Sequence, residues 1–200
     1  DNLFRVHLKN AYEHMGLSYP SDLEIPIKVV QRKVIIKEPK GEIYTNFDGK
    51  IDSIFEYMGA GEIDIKFDMS TMHTDATYLK RMKWGVSDQF LYIILIGNLA
   101  NLKNSKEDII LNIKEKNLNE DISIDLLNGR IISNGQVLQL IEYRFNEYIE
   151  LLFKVVEDDF IETVDIYFEL YKGNHIIDRA PVYSSFTIDI FKRNMNLWIV

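Results

Sequence analysis

An all-β fold, two antiparallel sheets stacked as a sandwich behind a short N-terminal helix and linker, is what this 200-residue sequence predicts. Three observations carry it. Apolar residues alternate with polar ones in many short runs from Val29 to the end. Asn-Gly or Gly-Asn pairs stand between several of those runs. No helical pattern is interleaved with them. A period of two with one wet face is the signature of a half-buried strand. Tight turns between such runs favour antiparallel pairing over a parallel α/β sheet.

The first element is the exception. Residues 3–15 place Phe4, Leu8, Tyr12 and Met15 at helical spacing, with Leu3 and Ala11 beside them. Gly16 stands where a C-cap belongs and Pro20 lies just beyond. So short a helix is marginal alone, because nucleation costs more than a few turns return. Its apolar stripe needs a cover: either the sandwich or an upstream helical domain that it completes. Residues 17–27, with Pro20 and Pro26, read as an extended linker. Ser21 and Glu24 have capping-box spacing, but Ile25 precedes a proline and is pushed out of the helical region. The expected division is therefore 1–28, helix and linker, and 29–200, the sandwich.

The strands follow. Ile63, Ile65 and Phe67 alternate with Glu62, Asp64, Lys66 and Asp68. The pattern returns at Ile122, Ile124 and Leu126, at Val164, Ile166, Phe168 and Leu170, and at Phe186, Ile188 and Ile190. Phe90–Ile96 is apolar on both faces, which predicts a central strand. Asn128-Gly129, Asn134-Gly135 and Gly173-Asn174 are the expected hairpin turns.

Composition narrows the function. Lys and Arg number 23 against 31 Asp and Glu, a net charge of −8. That sign repels phosphate backbones and anionic lipids, so nucleic acid and membrane surfaces are not expected partners. No apolar run has the length of a spanning helix. There is no cysteine, hence no disulfide or thiolate chemistry, which suits a reducing, cytoplasmic compartment. The chain opens at Asp1 without a signal-peptide pattern and reads as a fragment of something longer.

The residues that can carry chemistry are few. Most acids alternate with apolar residues, as Asp64 and Asp189 do, and are expected on wet faces. Glu157-Asp158-Asp159 is either a Ca²⁺ ligand run or a solvated turn; the spaced Asp/Asn and Gly of a calcium loop are missing, which favours the turn. His7, His14, His73 and His175 include no close ligand pair, so no metal and no cofactor is expected. There is no phosphate loop and no nucleophile elbow. Sugars bind by stacking on aromatic rings, and 11 Tyr, 11 Phe and 2 Trp are available. Trp84 is the candidate platform, with Tyr57, Tyr78 and Arg81 as edges and His73 as a polar group; the alternative for each aromatic is core packing, and for His73 a buried structural role. Trp198 is expected to plug an inter-domain seam.

Several segments, in order, resemble the C-terminal region of glycoside hydrolase family 57. Leu3–Tyr12 followed by Gly16 is similar to that region's last helix, and Ile25-Pro26-Ile27 to the close of its linker. Phe47-Asp48-Gly49-Lys50 leading to Tyr57-Met58-Gly59-Ala60-Gly61 resembles the opening of its β domain. Met72-His73, Lys83-Trp84-Gly85 and Phe90-Leu91-Tyr92 resemble its middle; Asp178-Arg179-Ala180-Pro181 and Asn196–Val200 resemble its end. The resemblance implies a sandwich like that of DOMON and family 9 carbohydrate-binding modules. It also implies an α-glucan-processing parent of α-amylase type, whose catalytic domain is the partner on the same polypeptide. The family's His-Gln-Pro motif and catalytic Glu/Asp pair belong to an upstream barrel, and no His-Gln-Pro occurs here. The fragment itself is therefore expected to be non-catalytic: an accessory domain, or alternatively a module binding α-glucan polysaccharide.

Overall fold

The computed structural model describes residues 2–20, 36–40, 43, 45–53, 55–65, 78–87, 90–117, 119–156, 162–181 and 185–190. The chain divides into two compact units, 1–32 and 33–200. In the first, helix α1 spans Asn2–His14. Its end is a Schellman motif: Leu17 N donates to Tyr12 O at 3.0 Å, Gly16 N donates to Glu13 O at 2.9 Å, and Gly16 takes a φ of +67°. Glycine adopts that left-handed conformation without a Cβ penalty. Met15, expected in the apolar stripe, is 61% exposed. The linker residues Ser21, Glu24 and Pro26 lie outside the described residues.

The second unit is an antiparallel two-sheet sandwich. Its strands are β1 (Ile36–Lys37), β2 (Gly61–Asp64), β3 (Leu79–Ser87), β4 (Phe90–Gly97), β5 (Ile109–Glu115) and β6 (Glu120–Asp125). They are followed by β7 (Arg130–Ser133), β8 (Leu138–Phe145), β9 (Ile149–Val155), β10 (Thr163–Lys172), β11 (His175–Ala180) and β12 (Phe186–Asp189). One sheet has the order β1-β2-β3-β4-β9-β8 and the other β11-β10-β5-β6-β7, with β12 also paired to β10.

The alternating side chains meet between these layers. On β10, Val164, Ile166, Phe168 and Leu170 have no solvent exposure. Opposite them lie Leu91, Ile93 and Leu95 of β4 and Leu151 and Phe153 of β9, in one continuous core. Each such side chain contributes about 1.5–3 kcal/mol by leaving water. Phe168 and Phe186 pack with ring centroids 6.2 Å apart, tilted by 44°, inside the range of favourable aromatic pairs. β4 is central as expected, flanked by β3 and β9.

Two of the three turn dipeptides make hairpins. Gly129 (φ +73°) joins β6 to β7 and Gly173 (φ +55°) joins β10 to β11. Asn134-Gly135 does not. It leads from β7 in one sheet to β8 in the other, so the expected hairpin is a crossing between layers. The Asn134 side chain replaces the missing ladder: Leu140 N donates to its Oδ1 at 2.7 Å, and its Nδ2 donates to Leu140 O at 3.0 Å.

Other hydrogen bonds link the layers or their crossing. Leu79 N of β3 donates to the Asp178 carboxylate of β11 at 2.7 Å. Tyr143 OH of β8 donates to Asp125 O of β6 at 2.9 Å. Val137 N, on the crossing, donates to Glu120 of β6 at 3.2 Å. Burial pushes the Asp178 carboxyl above its usual range, against the backbone donors of Leu79, Arg179 and Tyr78.

Asp125 is shifted the other way. Burial raises it, but the side-chain and backbone donors of Asn128, with Arg130, outweigh that and hold it below the ordinary 3.8. A carboxyl depressed by folding stabilises above its unfolded value and loses that contribution as pH falls through the folded value. Asp125→Asn should therefore be less stable than wild type by about 1–2 kcal/mol at neutral pH, with the gap narrowing as the pH falls below the ordinary 3.8. Urea unfolding at neutral and at acid pH checks this; a gap that widens in acid overturns it.

Candidate functional site

The face of the first sheet turned away from the main core carries Glu62, Lys83, Tyr92, Ile94, Ile96 and Glu150. Glu150 arises from the period of β9: Ile149, Leu151, Phe153 and Val155 fill the core, so the residues between them point outward. An outward carboxylate would ordinarily be wet. Here segment 43–60 lies across this face, and Ile43, Tyr57, Ala60 and Ile94 form a second small core, with Ile51, Tyr92, Ile96 and Tyr148 packed against it. Glu150 is left 1% exposed.

A charge so buried needs donors. Gly49 N donates to its Oε2 at 2.6 Å, Thr45 Oγ1 donates to Oε1 at 2.9 Å, and the Tyr57 hydroxyl donates to Oε1. Burial, and then the bond to Glu150, push the Tyr57 phenol far above its usual value; it stays protonated and the carboxylate accepts. Gly49 is required where it stands. It takes a φ of +79°, and a Cβ there would lie 2.8 Å from Asn146 N. Its carbonyl accepts Glu147 N at 2.9 Å and Tyr148 N at 3.0 Å, which ties the segment to the β8–β9 turn. A second acid, Glu56, is 8% exposed and accepts Asn46 Nδ2 at 3.0 Å and Asp52 N at 3.1 Å.

Beside this network opens a cleft of about 820 Å³, lined among others by Asn46, Phe47, Phe55, Met58, Tyr92 and Glu142. Phe55 is 66% exposed and Met58 67%. Arg144 bridges to Glu142, and its guanidinium carbon lies 5.9 Å from the centre of the Phe47 ring.

The residues expected at a sugar site are scattered. Trp84 is only 3% exposed and belongs to the main core. A Cβ on Gly61 would lie 2.7–2.8 Å from its ring atoms, so the indole lies flat against that backbone. Trp84 is thus a core residue and not an accessible platform; a strand facing the opposite sheet has no open ring face to offer. Tyr57 is buried behind the cleft and bonded to Glu150. Tyr78 is half-buried against the main core and lines a separate recess of about 360 Å³. Arg81 pairs with Glu62 at 3.1 Å. His73, Glu157-Asp158-Asp159 and Trp198 lie outside the described residues. Among the described residues, no three His, Asp or Glu side chains are grouped to hold a metal ion. No described helix is long and apolar enough to cross a membrane.

Glu150, Phe47 and Phe55 are the residues that reasoning from sequence missed. Phe47 stands in one of the family-like segments, so that signal was present. Phe55 and Glu150 gave none. No family model and no curated protein matches this sequence.

Proposed function

We propose that the chain is a non-catalytic β-sandwich accessory domain of a larger α-glucan-processing polypeptide of the family 57 type, packing against and stabilising its catalytic part. A cytoplasmic location goes with that reading. One observation supports it above others: Glu56 and Glu150, the buried acids of the outer face, are each held by internal donors. Glycoside hydrolysis needs an acid and a base or nucleophile facing one open site about 5–9 Å apart. Carboxylates whose oxygens already accept from the protein's own loop hold a fold together instead, and of the two that line the cleft, Glu56 is held in this way while Glu142 is paired with Arg144.

The test is direct. The purified chain incubated with amylose should release no reducing sugar above a heat-killed control. Release above that control overturns the reading. A reading frame upstream of Asp1 that encodes a long barrel supports the parent; a start codon there defeats it. A second reading, binding of α-glucan, is favoured by the exposed Phe55 and the cleft it borders.

A further inference from the structure

We infer that the cleft bordered by Phe47, Phe55, Met58 and Tyr92 binds a short stretch of neutral oligosaccharide, with uncharged hydroxylated rings rather than uronic acids, phosphosugars or cationic ligands. The inference rests on the second reading above and deepens it, by giving the site.

The first support is how the exposed side chains are held. Single exposed apolar residues are ordinary. Phe55 and Met58, however, flank Glu56 and Tyr57, which are 8% and 6% exposed. The buried pair is bonded from below, Glu56 to Asn46 and Asp52, Tyr57 to Glu150 and Thr45. The turn is pinned, and its apolar side chains stand over the cleft without being free to fold inward. Apolar surface presented in a fixed geometry lowers the ordering cost of binding. Four apolar or aromatic side chains around a few polar groups is the make-up of a small-ligand site, and the volume falls within the usual ~300–1,000 Å³.

The second support is charge. The polar residues lining the cleft, Glu142, Glu56, Asn46, Thr45 and Ser53, all carry acceptor oxygens. Sugar hydroxyls are donors and meet such groups well. Arg144 is already paired with Glu142, so an anionic ligand would have to break that bridge. The same guanidinium faces the Phe47 ring, so a quaternary ammonium seeking that face would meet a cation in place. Both acids of the lining are already bonded, Glu142 to Arg144 and Glu56 to Asn46 and Asp52, so a neutral ligand is the one that costs least to admit.

The test uses the full chain, with maltoheptaose, cellohexaose and choline as probes in calorimetric titrations. Saturable binding of at least one oligosaccharide at millimolar concentration or below is expected, with no heat from choline. Phe55→Ala should weaken binding about tenfold or more while the melting temperature stays unchanged, since the ring is mostly in water. Met58→Ala serves as the second variant, and its binding loss should be smaller. Three results overturn the inference: no oligosaccharide binds, Phe55→Ala and Met58→Ala bind as wild type does, or choline binds and is lost in Phe55→Ala. Maltoheptaose binding that survives in both variants overturns this site and leaves the glucan-binding reading standing, whereas no binding of maltoheptaose removes both; the accessory-domain reading falls only on sugar release or on the upstream frame.

Discussion

Glu150→Ala is expected to destabilise the protein by about 3–5 kcal/mol, and Glu150→Gln by only about 1–2 kcal/mol. Alanine removes the acceptor of Gly49 N, Thr45 Oγ1 and Tyr57 OH together, in a place that water does not reach. Each buried donor left without a partner costs about 1–3 kcal/mol, and part of that is recovered as the segment loosens. Glutamine keeps one acceptor oxygen. The Gly49 amide is fixed and needs that oxygen, while the two hydroxyls can rotate to accept from the new amide. The ordering is thus the sharper statement. For a chain of this size the alanine loss lowers the melting temperature on the order of 10 °C. Urea and thermal unfolding of both variants measure it, and an alanine variant within about 1 kcal/mol of wild type would show that segment 43–60 is held by something else.

Gly97→Ala should cost more than about 3 kcal/mol, enough to leave little folded protein. A Cβ at 97 would stand 1.7 Å from Tyr78 O and 2.7 Å from Tyr78 C. Those atoms are backbone and have no slack. Tyr78 O accepts Asn98 N at 2.8 Å, and the next amide, Leu79 N, is bonded to Asp178. Gly85→Ala is the control. Its Cβ would meet Ile43 Cδ1 at 2.3 Å and Cγ1 at 2.7 Å, so Ile43 must move, but the clash is with a side chain and not with backbone, and repacking it costs about 1–3 kcal/mol. Comparing the soluble yield and unfolding midpoints of the two variants tests the distinction, and equal losses would refute it.

The sandwich was legible because its code is local. Val164, Ile166, Phe168 and Leu170 alternate over a stretch that needs no knowledge of the rest of the chain, and all four are fully buried. Asn134-Gly135 shows where that code ends. The dipeptide specifies a tight turn, but whether the strands on either side share a sheet depends on their partners, β6 and β9. Glu150 was illegible for a related reason. Its place in the strand says outward, and only segment 43–60, about a hundred positions earlier, makes outward dry. Trp84 went astray through composition: an aromatic in a strand has two faces to choose from, and Gly61, the residue that gives it a flat bed in the interior, is a neighbour across strands rather than along the chain.

The links between the two layers have a mechanical corollary. Attraction between apolar faces is non-directional, and although interdigitated side chains resist sliding, they do not single out one polar alignment. Backbone ladders do not supply it either, since every described ladder runs within a sheet. A few point fasteners add that directionality, Asp178 with Leu79 at one place and Tyr143 with Asp125 at another, much as dowels register two boards.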